Sequence, residues 1–491
     1  MKILKQITYI AVTIFTLTSC GDFLDRQPLD QITVSNFYNN ADEAELAAIS
    51  MYAVPQGINW HGKAWMILEI PSDNSTVGGN DPDFSPIDNF TISDDNVPNT
   101  EFWTERFRLV TLANQVINFT PPIDMDAEQK AAIIAEARTM RAYAYFDLVR
   151  IYGGVPIIQE VPTIDSELNV MRSEVNEVYD FITADLEAGM ADLPAKRSGG
   201  DVGRASGDMA AALLAKVYLT QDNYQECMSI CRDLIASGRY QLTETFDENW
   251  LRETSDNNEE SIFQIQYVGC GPGNTGNALQ GFFAPWGQAI TGGADGWGSQ
   301  VPTAPNVDNP GTTIRDAYSN DDLRQYHTIM TPGTEYPMIN DGYSYPATGA
   351  SRTSCNIKKY VIGGGSDVCF LSTPQNFHVI RYADVLLMLA EASAKNGGGL
   401  SVTPDVIDAF NEVHTRAGLE PVGSITTESV LHERRLEFAF ENQRWFDLLR
   451  HDNLRNRMLL HGKQMQEFHR LFPIPVSELS VNPNLVQNPG Y

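Results

Sequence analysis

RAYAYFDLVRIYGGVP, residues 141–156, combines a helical face rich in small and aromatic side chains with an abrupt stop. Apolar residues recur at helical spacing back to Ala127, which predicts a helix over Ala127–Tyr152. Gly153 and Gly154 end this helix, and Pro156 prevents its continuation. Ile380–Gly397 has a similar Ala-, Tyr- and Leu-rich face and also ends in glycine. These two segments predict long helices that pack closely against neighbouring helices.

Helical periodicity dominates two blocks of the chain, separated by a loop-rich middle. The predicted helices are Ala41–Tyr52, Glu101–Phe119, Ala127–Tyr152, Val175–Met190, Ser206–Leu219 and Tyr224–Ser237 in the first block, and Asn376–Lys395, Pro404–Ala417 and Glu428–His451 in the second. From Leu214 to Leu234 the residue spacing matches a tetratricopeptide helix pair. We therefore expect a mainly α protein of stacked helical hairpins. A strand over Ser261–Val268 is predicted to pair near Ile357–Ile362.

The composition is that of an acidic globular protein. Among 491 residues, 63 are acidic and 34 basic, which gives a formal charge of −29. Nucleic acids and anionic membranes bind proteins through clustered Lys and Arg, and this chain has no basic run. Nucleic acid is therefore excluded as a partner.

The first twenty residues resemble an export signal. Lys2 and Lys5 precede an apolar segment over Ile7–Leu17, which is too short to span a bilayer. Leu17-Thr18-Ser19-Cys20 resembles a bacterial lipobox, which predicts cleavage before Cys20 and lipidation of its thiol. The alternative is an ordinary secretory signal with a chance cysteine. We expect a signal peptide over 1–19 and one exported domain over 20–491, tethered to the membrane by lipid alone.

The other five cysteines do not form a disulfide framework, because their number is odd. Cys227 and Cys231 share one helical face and are interpreted as buried packing residues, since no further metal ligands lie nearby. Cys355 and Cys369 flank a Gly-rich turn, and whether they pair is left open by their spacing.

Recognisable catalytic and metal-binding patterns fail on inspection. The glycine pattern at Gly271, Gly273 and Gly276 is interrupted by Pro272 and is not followed by a helical pattern. The charged segment Glu433–Asp447 is interpreted as structural, with Glu433, Glu437 and Glu441 neutralised by arginines. Asp256–Glu260 and Ser93–Asn96 carry oxygen ligands suited to Ca²⁺ but lack EF-hand spacing, which favours solvated loops. No catalytic residue, metal or cofactor is predicted.

Aromatic and polar residues in the long loops are the candidate ligand contacts. Pro71–Thr100 is rich in Asp, Asn and Ser, and Gly269–Gln300 is rich in glycine. Aromatic rings pack on sugar C–H groups, while carboxylates and amides bind hydroxyls. On this basis the predicted ligand-binding residues are Trp60, Trp65, Asp73, Asn74, Trp286 and Trp297. For any single Trp, the alternative is that it anchors its loop to the core.

Taken together, the chain resembles the SusD/RagB family of Bacteroidetes outer-membrane nutrient-binding lipoproteins. The similarity extends over nearly the whole length, through motifs in the family's order: CGDFLD at 20–25, RAYAYFDLVRIYGGVP at 141–156, IRYADVLLMLAEA at 380–392, ERRLE at 433–437, RWFDL at 444–448, PIP at 473–475 and QNPGY at 487–491. These motifs belong to the scaffold, so they indicate the fold better than the ligand.

The resemblance implies a SusD-like fold with tetratricopeptide-like hairpins and long irregular ligand-binding loops. It divides the domain into a helical-repeat part (20–240), a loop-rich part (241–375) and a C-terminal helical part (376–491). It further implies a surface-exposed outer-membrane protein that captures glycan and delivers it, as a hinged lid, to a SusC-like TonB-dependent transporter. The alternatives are a RagB-like lid for oligopeptides and a surface glycoside hydrolase, whose paired carboxylates no sequence pattern excludes.

Overall fold

The computed structural model describes residues 37–77, 81–161, 170–271, 276–285, 290, 313–340, 342–348, 355–369 and 371–491. Helices dominate these residues. In chain order they are α1 (Ala41–Ser50), α2 (Lys63–Glu69), α3 (Ser85–Asp88), α4 (Val97–Phe119), α5 (Ala127–Tyr152), α6 (Val175–Asp192), α7 (Gly207–Thr220), α8 (Tyr224–Ala236), α9 (Leu279–Phe283), α10 (Ile314–Ala317), α11 (Arg324–Thr328), α12 (Tyr382–Asn396), α13 (Pro404–Arg416), α14 (Thr427–Glu437), α15 (Arg444–Arg450), α16 (Leu454–Leu460) and α17 (Val476–Val481).

In the part of the chain that the structure describes, the strands are short and form two-stranded sheets. They are β1 (Ser261–Ile265), β2 (Ile329–Met330), β3 (Glu335–Tyr336), β4 (Tyr343–Ser344), β5 (Asn356–Ile357), β6 (Phe377–Arg381), β7 (Leu400–Ser401) and β8 (Ile425–Thr426). All four pairs are antiparallel: β1 with β6, β2 with β5, β3 with β4 and β7 with β8. The mainly α architecture predicted from the sequence is confirmed.

Consecutive helices pack as neighbours and form the frame: α4 on α5, α5 on α6, α6 on α7 and α7 on α8, after which α8 packs on α12. Ionic contacts fix this order. Arg141 on α5 donates to the Asp185 carboxylate on α6 at 2.8 and 2.9 Å and to Asn114 on α4 at 2.6 Å. Close approach also requires small residues, since a Cβ on Gly189 would lie 2.2 Å from Thr139 Oγ1.

Helix α5 has the predicted bounds for identifiable reasons. The Asp126 carboxylate accepts hydrogen bonds from the Glu128 and Gln129 amides and caps the first turn. Gly153 ends the helix at φ +74°, a conformation that favours glycine. A Cβ on Gly154 would lie 2.2 Å from Ser173 O. The two consecutive glycines therefore allow a tight turn after α5, close to the residues that lead into α6.

Two of the predicted helices were wrong in extent. Within Asn376–Lys395, residues Phe377–Arg381 form strand β6, and the helix starts at Tyr382. Backbone pairing with β1 outweighs the helical pattern there, and it also corrects the predicted partner of β1, since Asn356–Ile357 pairs with Ile329–Met330 instead. The predicted helix Glu428–His451 is interrupted after Glu437, where the chain turns through positive φ at Phe440 and Asn442.

The cysteines form a pair that the sequence analysis did not propose. Cys270 bonds to Cys369 across a separation of 99 residues, whereas Cys355 is free and buried. The question left open for Cys355 and Cys369 is thus answered, since Cys369 pairs with Cys270 instead. The bridge fastens the residues after β1 to the segment before β6. Cys227 and Cys231 are buried and free, which confirms their interpretation as packing residues.

Buried ion pairs join the middle of the chain to the C-terminal helices. Arg381 contacts Glu260, Glu437 and Glu441 at 2.6–2.8 Å, and Arg324 contacts Glu433 at 2.6 Å. The structural interpretation of Glu433, Glu437 and Glu441 is thus confirmed. Glu260 is fully buried, so the expectation of a solvated loop at Asp256–Glu260 is wrong at its last residue.

Candidate functional site

Trp60 and Trp65 are fully buried and cannot form an exposed sugar platform. The guanidinium carbon of Arg106 lies 4.0 Å from the centre of the Trp60 ring. Trp65, on α2, donates from Nε1 to Phe440 O at 3.0 Å and packs on Phe283. Both rings anchor their segment to the core. This outcome corrects their assignment as ligand contacts and matches the alternative stated for a single Trp.

Asp73 and Asn74 are also fully buried, and arginines from the C-terminal part occupy their polar atoms. Arg444 binds the Asp73 carboxylate at 2.7 and 2.9 Å, and Arg457 binds it at 2.8 Å. Asn74 Oδ1 accepts from Arg435 Nε at 3.0 Å. Burial alone would raise the pKa of Asp73, but Arg435, Arg444 and Arg457 hold it well below its ordinary value. The polar composition of this loop therefore reflects buried ion pairing, and its assignment to ligand binding is corrected.

Trp286 and Trp297, the remaining predicted contacts, lie outside the described residues. Cys20, the predicted lipidation site, lies outside them as well. Their roles stay predictions.

At least three clefts on the described surface have volumes above about 300 Å³, enough for a small ligand. The largest, about 480 Å³, is at the end of α5 and has mostly carbon atoms on its walls, from residues such as Val149, Tyr179, Phe446, Phe468 and Leu471. A groove of about 440 Å³ between α6, α7 and α8 is similarly apolar, with Glu187 and Glu226 among its lining residues. Apolar surface exceeds polar surface in both, although Arg150, Glu467 and Asn488 are among the lining residues of the first.

The third cleft, of about 320 Å³, lies in the loop-rich part and is predominantly polar. We refer to it as the loop cleft. Its volume is within the range of about 300–1,000 Å³ that is common for small-ligand sites. Its lining residues are Trp250, Leu251, Arg252, Glu253, Met338, Ile339, Asn340, Lys358, Val361, Ile362 and Gly364.

Three loops meet to form the loop cleft, and short-range contacts hold them. Arg252 pairs with the Asp367 carboxylate and donates to Gly364 O at 3.3 Å. Asn340, at φ +51°, accepts from the Gly364 amide at 2.5 Å and donates to Ile290 O at 3.3 Å. The β2–β5 pair and the Cys270–Cys369 bridge fasten the same loops to the core.

Two cations, Arg252 and Lys358, line the loop cleft together with the carboxylate of Glu253. The Arg252 side chain is 30% exposed despite its ion pair, so part of the guanidinium remains accessible. Lys358 is buried, and burial lowers its pKa to about 8, although Asp247 acts in the opposite direction. Sequence reasoning missed both residues. The available signal was Lys358-Lys359 standing inside the otherwise apolar segment Ile357–Ile362.

Two negative findings complete the geometry. Among the described residues, no three His, Cys, Asp or Glu side chains converge in a way that would hold a metal ion. Within those same ranges, no helix has both the length and the apolar character needed to cross a bilayer.

Two profiles of known protein families match the chain, one in each half. A profile described as "SusD family" matches residues 259–491, and one described as "Starch-binding associating with outer membrane" matches residues 22–219. A SusD-like protein of Bacteroides ovatus is 29% identical over 91% of this chain and 82% of its own. SusD-like protein P2 of Formosa agariphila is 28% identical over 99% of both chains.

Similarity to solved structures agrees with the sequence comparisons. A "Laminarin binding SusD-like protein" superposes with a TM-score of 0.77 at 27% identity, covering 92% of this chain and 100% of its own. The matched residues include the helical frame and the loop-rich part alike. The chain therefore belongs to the SusD/RagB family, with that family's mainly helical fold.

Proposed function

We propose that the protein is a glycan-binding protein of the outer membrane that captures an oligosaccharide in the loop cleft. The observation that carries this proposal is the convergence of Arg252, Glu253, Asn340 and Lys358 in one open cleft of the loop-rich part. Charged and amide side chains of this kind supply the donors and acceptors that sugar hydroxyls require. The ligand class is supported by one matching family profile, which is described as starch-binding, and by one structurally similar protein, which is named as laminarin-binding.

The finer parts of the proposal concern attachment and delivery. Lipid on Cys20 tethers the protein to the outer membrane, and a SusC-like TonB-dependent transporter receives the captured glycan beneath it. The protein binds and releases its cargo without cleaving it. Because the cleft is open, ordering costs consume much of the contact energy, and we expect dissociation constants of roughly micromolar to millimolar. Such affinities suit a protein that must hand its ligand on.

Affinity electrophoresis and calorimetry of the protein lacking residues 1–20 test the ligand class. The panel consists of plant, microbial and host polysaccharides, with oligopeptides as the competing ligand class. We expect retention by at least one glycan with no reducing ends released during long incubation. Retention of oligopeptides with none of any glycan would contradict the proposal, and release of reducing ends would show a hydrolase.

A matched pair of variants tests the location. Arg252 and Arg232 each pair with a single partly exposed aspartate, but Arg232 lies on α8, away from the loop cleft. We expect Arg252→Ala to weaken glycan binding and Arg232→Ala to leave it unchanged. Equal affinities for the two variants would place the site elsewhere.

A further inference from the structure

Lys358 is the unusual residue of the loop cleft, because its largely buried side chain forms no ion pair or hydrogen bond through Nζ with the described residues and has the Tyr336 ring as a cation–π neighbour at 5.8 Å. Only 5% of the Lys358 surface is exposed to solvent. Among the described residues, no carboxylate oxygen lies within 4.0 Å of Lys358 Nζ and no acceptor forms a hydrogen bond with it. Burying a charge without a partner is costly, so such groups are rare unless something else compensates for them.

The other buried lysines of the described chain show the usual arrangement. Lys359, the next residue, donates to Glu441 Oε1 at 2.8 Å and to Glu437 O at 3.2 Å. Lys216 forms an ion pair with Asp384. Lys358 differs from both in lacking such a contact, although it is as deeply buried. It also differs in location, since it lines an open cleft.

Three carboxylates lie near Lys358 and Arg252, but among the described residues none forms an ion pair with Lys358. Asp247 acts on it electrostatically from beyond 4.0 Å and lies 4.0 Å from His327 Nδ1. On the cleft wall, Arg252 is compensated by Asp367, and Glu253 adds one carboxylate. The cleft thus contains one ammonium group that lacks an acceptor, beside a guanidinium that is partly accessible. An anionic oxygen in the cleft would supply the acceptor that Lys358 lacks.

We propose that the loop cleft binds an acidic sugar unit, whose carboxylate or sulfate oxygens accept hydrogen bonds from Lys358 Nζ and lie near the Arg252 guanidinium. This inference rests on the proposed function and specifies its ligand as an anionic glycan. Charge-assisted hydrogen bonds to carboxylate or sulfate are stronger than those to hydroxyls, so the charged group fixes the register of the bound chain. The formal charge of −29 repels polyanions at long range, which makes recognition depend on this contact.

Pairs of glycans that share a sugar backbone and differ in charge test whether the charge of the ligand determines its affinity. Calorimetry with the protein lacking residues 1–20 compares polygalacturonate with its methyl ester, hyaluronan with its carboxyl-reduced form, and chondroitin sulfate with its desulfated form. Laminarin, starch and xyloglucan are the neutral references. We expect the acidic member of at least one pair to bind about tenfold more tightly than its neutralised partner. The carboxylate pairs and the sulfate pair then distinguish the two sources of charge.

Two lysine variants test whether Lys358 causes the preference for the acidic glycan. Lys358→Met should abolish the tenfold preference, while Lys395→Met, at a half-buried lysine that donates to Arg450 O, should preserve it. Because Lys358→Met removes a largely buried charge that has no ion pair, we also expect it to keep the unfolding midpoint at pH 7 at or above that of the unchanged protein, which shows that the variant folds. Equal affinity within every pair, or a preference that survives in Lys358→Met, would overturn the anionic assignment while leaving glycan binding intact. Binding to none of the glycans, neutral ones included, would overturn both proposals.

Discussion

Asp73 is predicted to be a major contributor to the stability of the fold, and Asp73→Asn tests this directly. Its side chain is fully enclosed, and three guanidinium groups from distant parts of the chain lie within 3.2 Å of it: Arg435, Arg444 and Arg457. Asparagine has nearly the same shape but no charge, so the substitution leaves three cations close together around a neutral group. Breaking a buried ion pair by removing one partner costs about 3–5 kcal/mol.

The assay is urea denaturation at pH 7, followed by circular dichroism, with Asp405→Asn as the control. Asp405 pairs with Arg232, but the side chains are 53% and 43% exposed, so that loss should be about 1 kcal/mol or less. We expect Asp73→Asn to lower the free energy of unfolding by about 3–5 kcal/mol. A loss no larger than that of the control would refute the view that the polar loop after α2 is held by buried ion pairs.

Three further predictions concern other parts of the chain. Burial raises the pKa of Glu69 from 4.5 to about 8. The folded protein therefore retains a proton that the unfolded chain releases, and stability declines as pH rises from 5 to 8. Glu69→Gln should flatten this decline in the unfolding midpoint, and an unchanged slope would contradict the assignment. Reduction of Cys270–Cys369 should lower the free energy of unfolding by about 2–5 kcal/mol, measured against the same protein oxidised, and no change would show that the bridge adds nothing. Metabolic labelling with an alkyne fatty acid should mark the wild-type protein and not Cys20→Ala; labelling of both would exclude Cys20 as the lipid site.

The helical frame was predictable because its signals are local. The residues that begin and end α5, Asp126 and Gly153–Gly154, lie directly beside the helix in the sequence. The Cys227–Cys231 spacing likewise indicated the buried face of α8. Such signals depend on neighbours three or four residues apart, which a single sequence displays. The bounds of both helices consequently agree with prediction to within one residue.

The candidate site was not predictable, because its determinants are contacts between distant residues. Asp73 meets Arg444 across 371 positions, so a loop composition typical of a solvated or ligand-binding segment conceals an ion pair in the core. Trp65 is buried through Phe440, 375 positions away. The different environments of Lys358 and Lys359 likewise follow from where Glu441 lies in the fold. The residues next to a position in the sequence do not indicate which distant residue it contacts in the fold.

Hydrogen–deuterium exchange with and without the retained glycan tests the central claim, which is that the loop cleft holds the ligand. The account predicts slower exchange in residues 250–253, 338–340 and 358–364, with the helices of the frame unchanged. Protection confined to the apolar cleft at the end of α5, or to the groove between α6, α7 and α8, would contradict it.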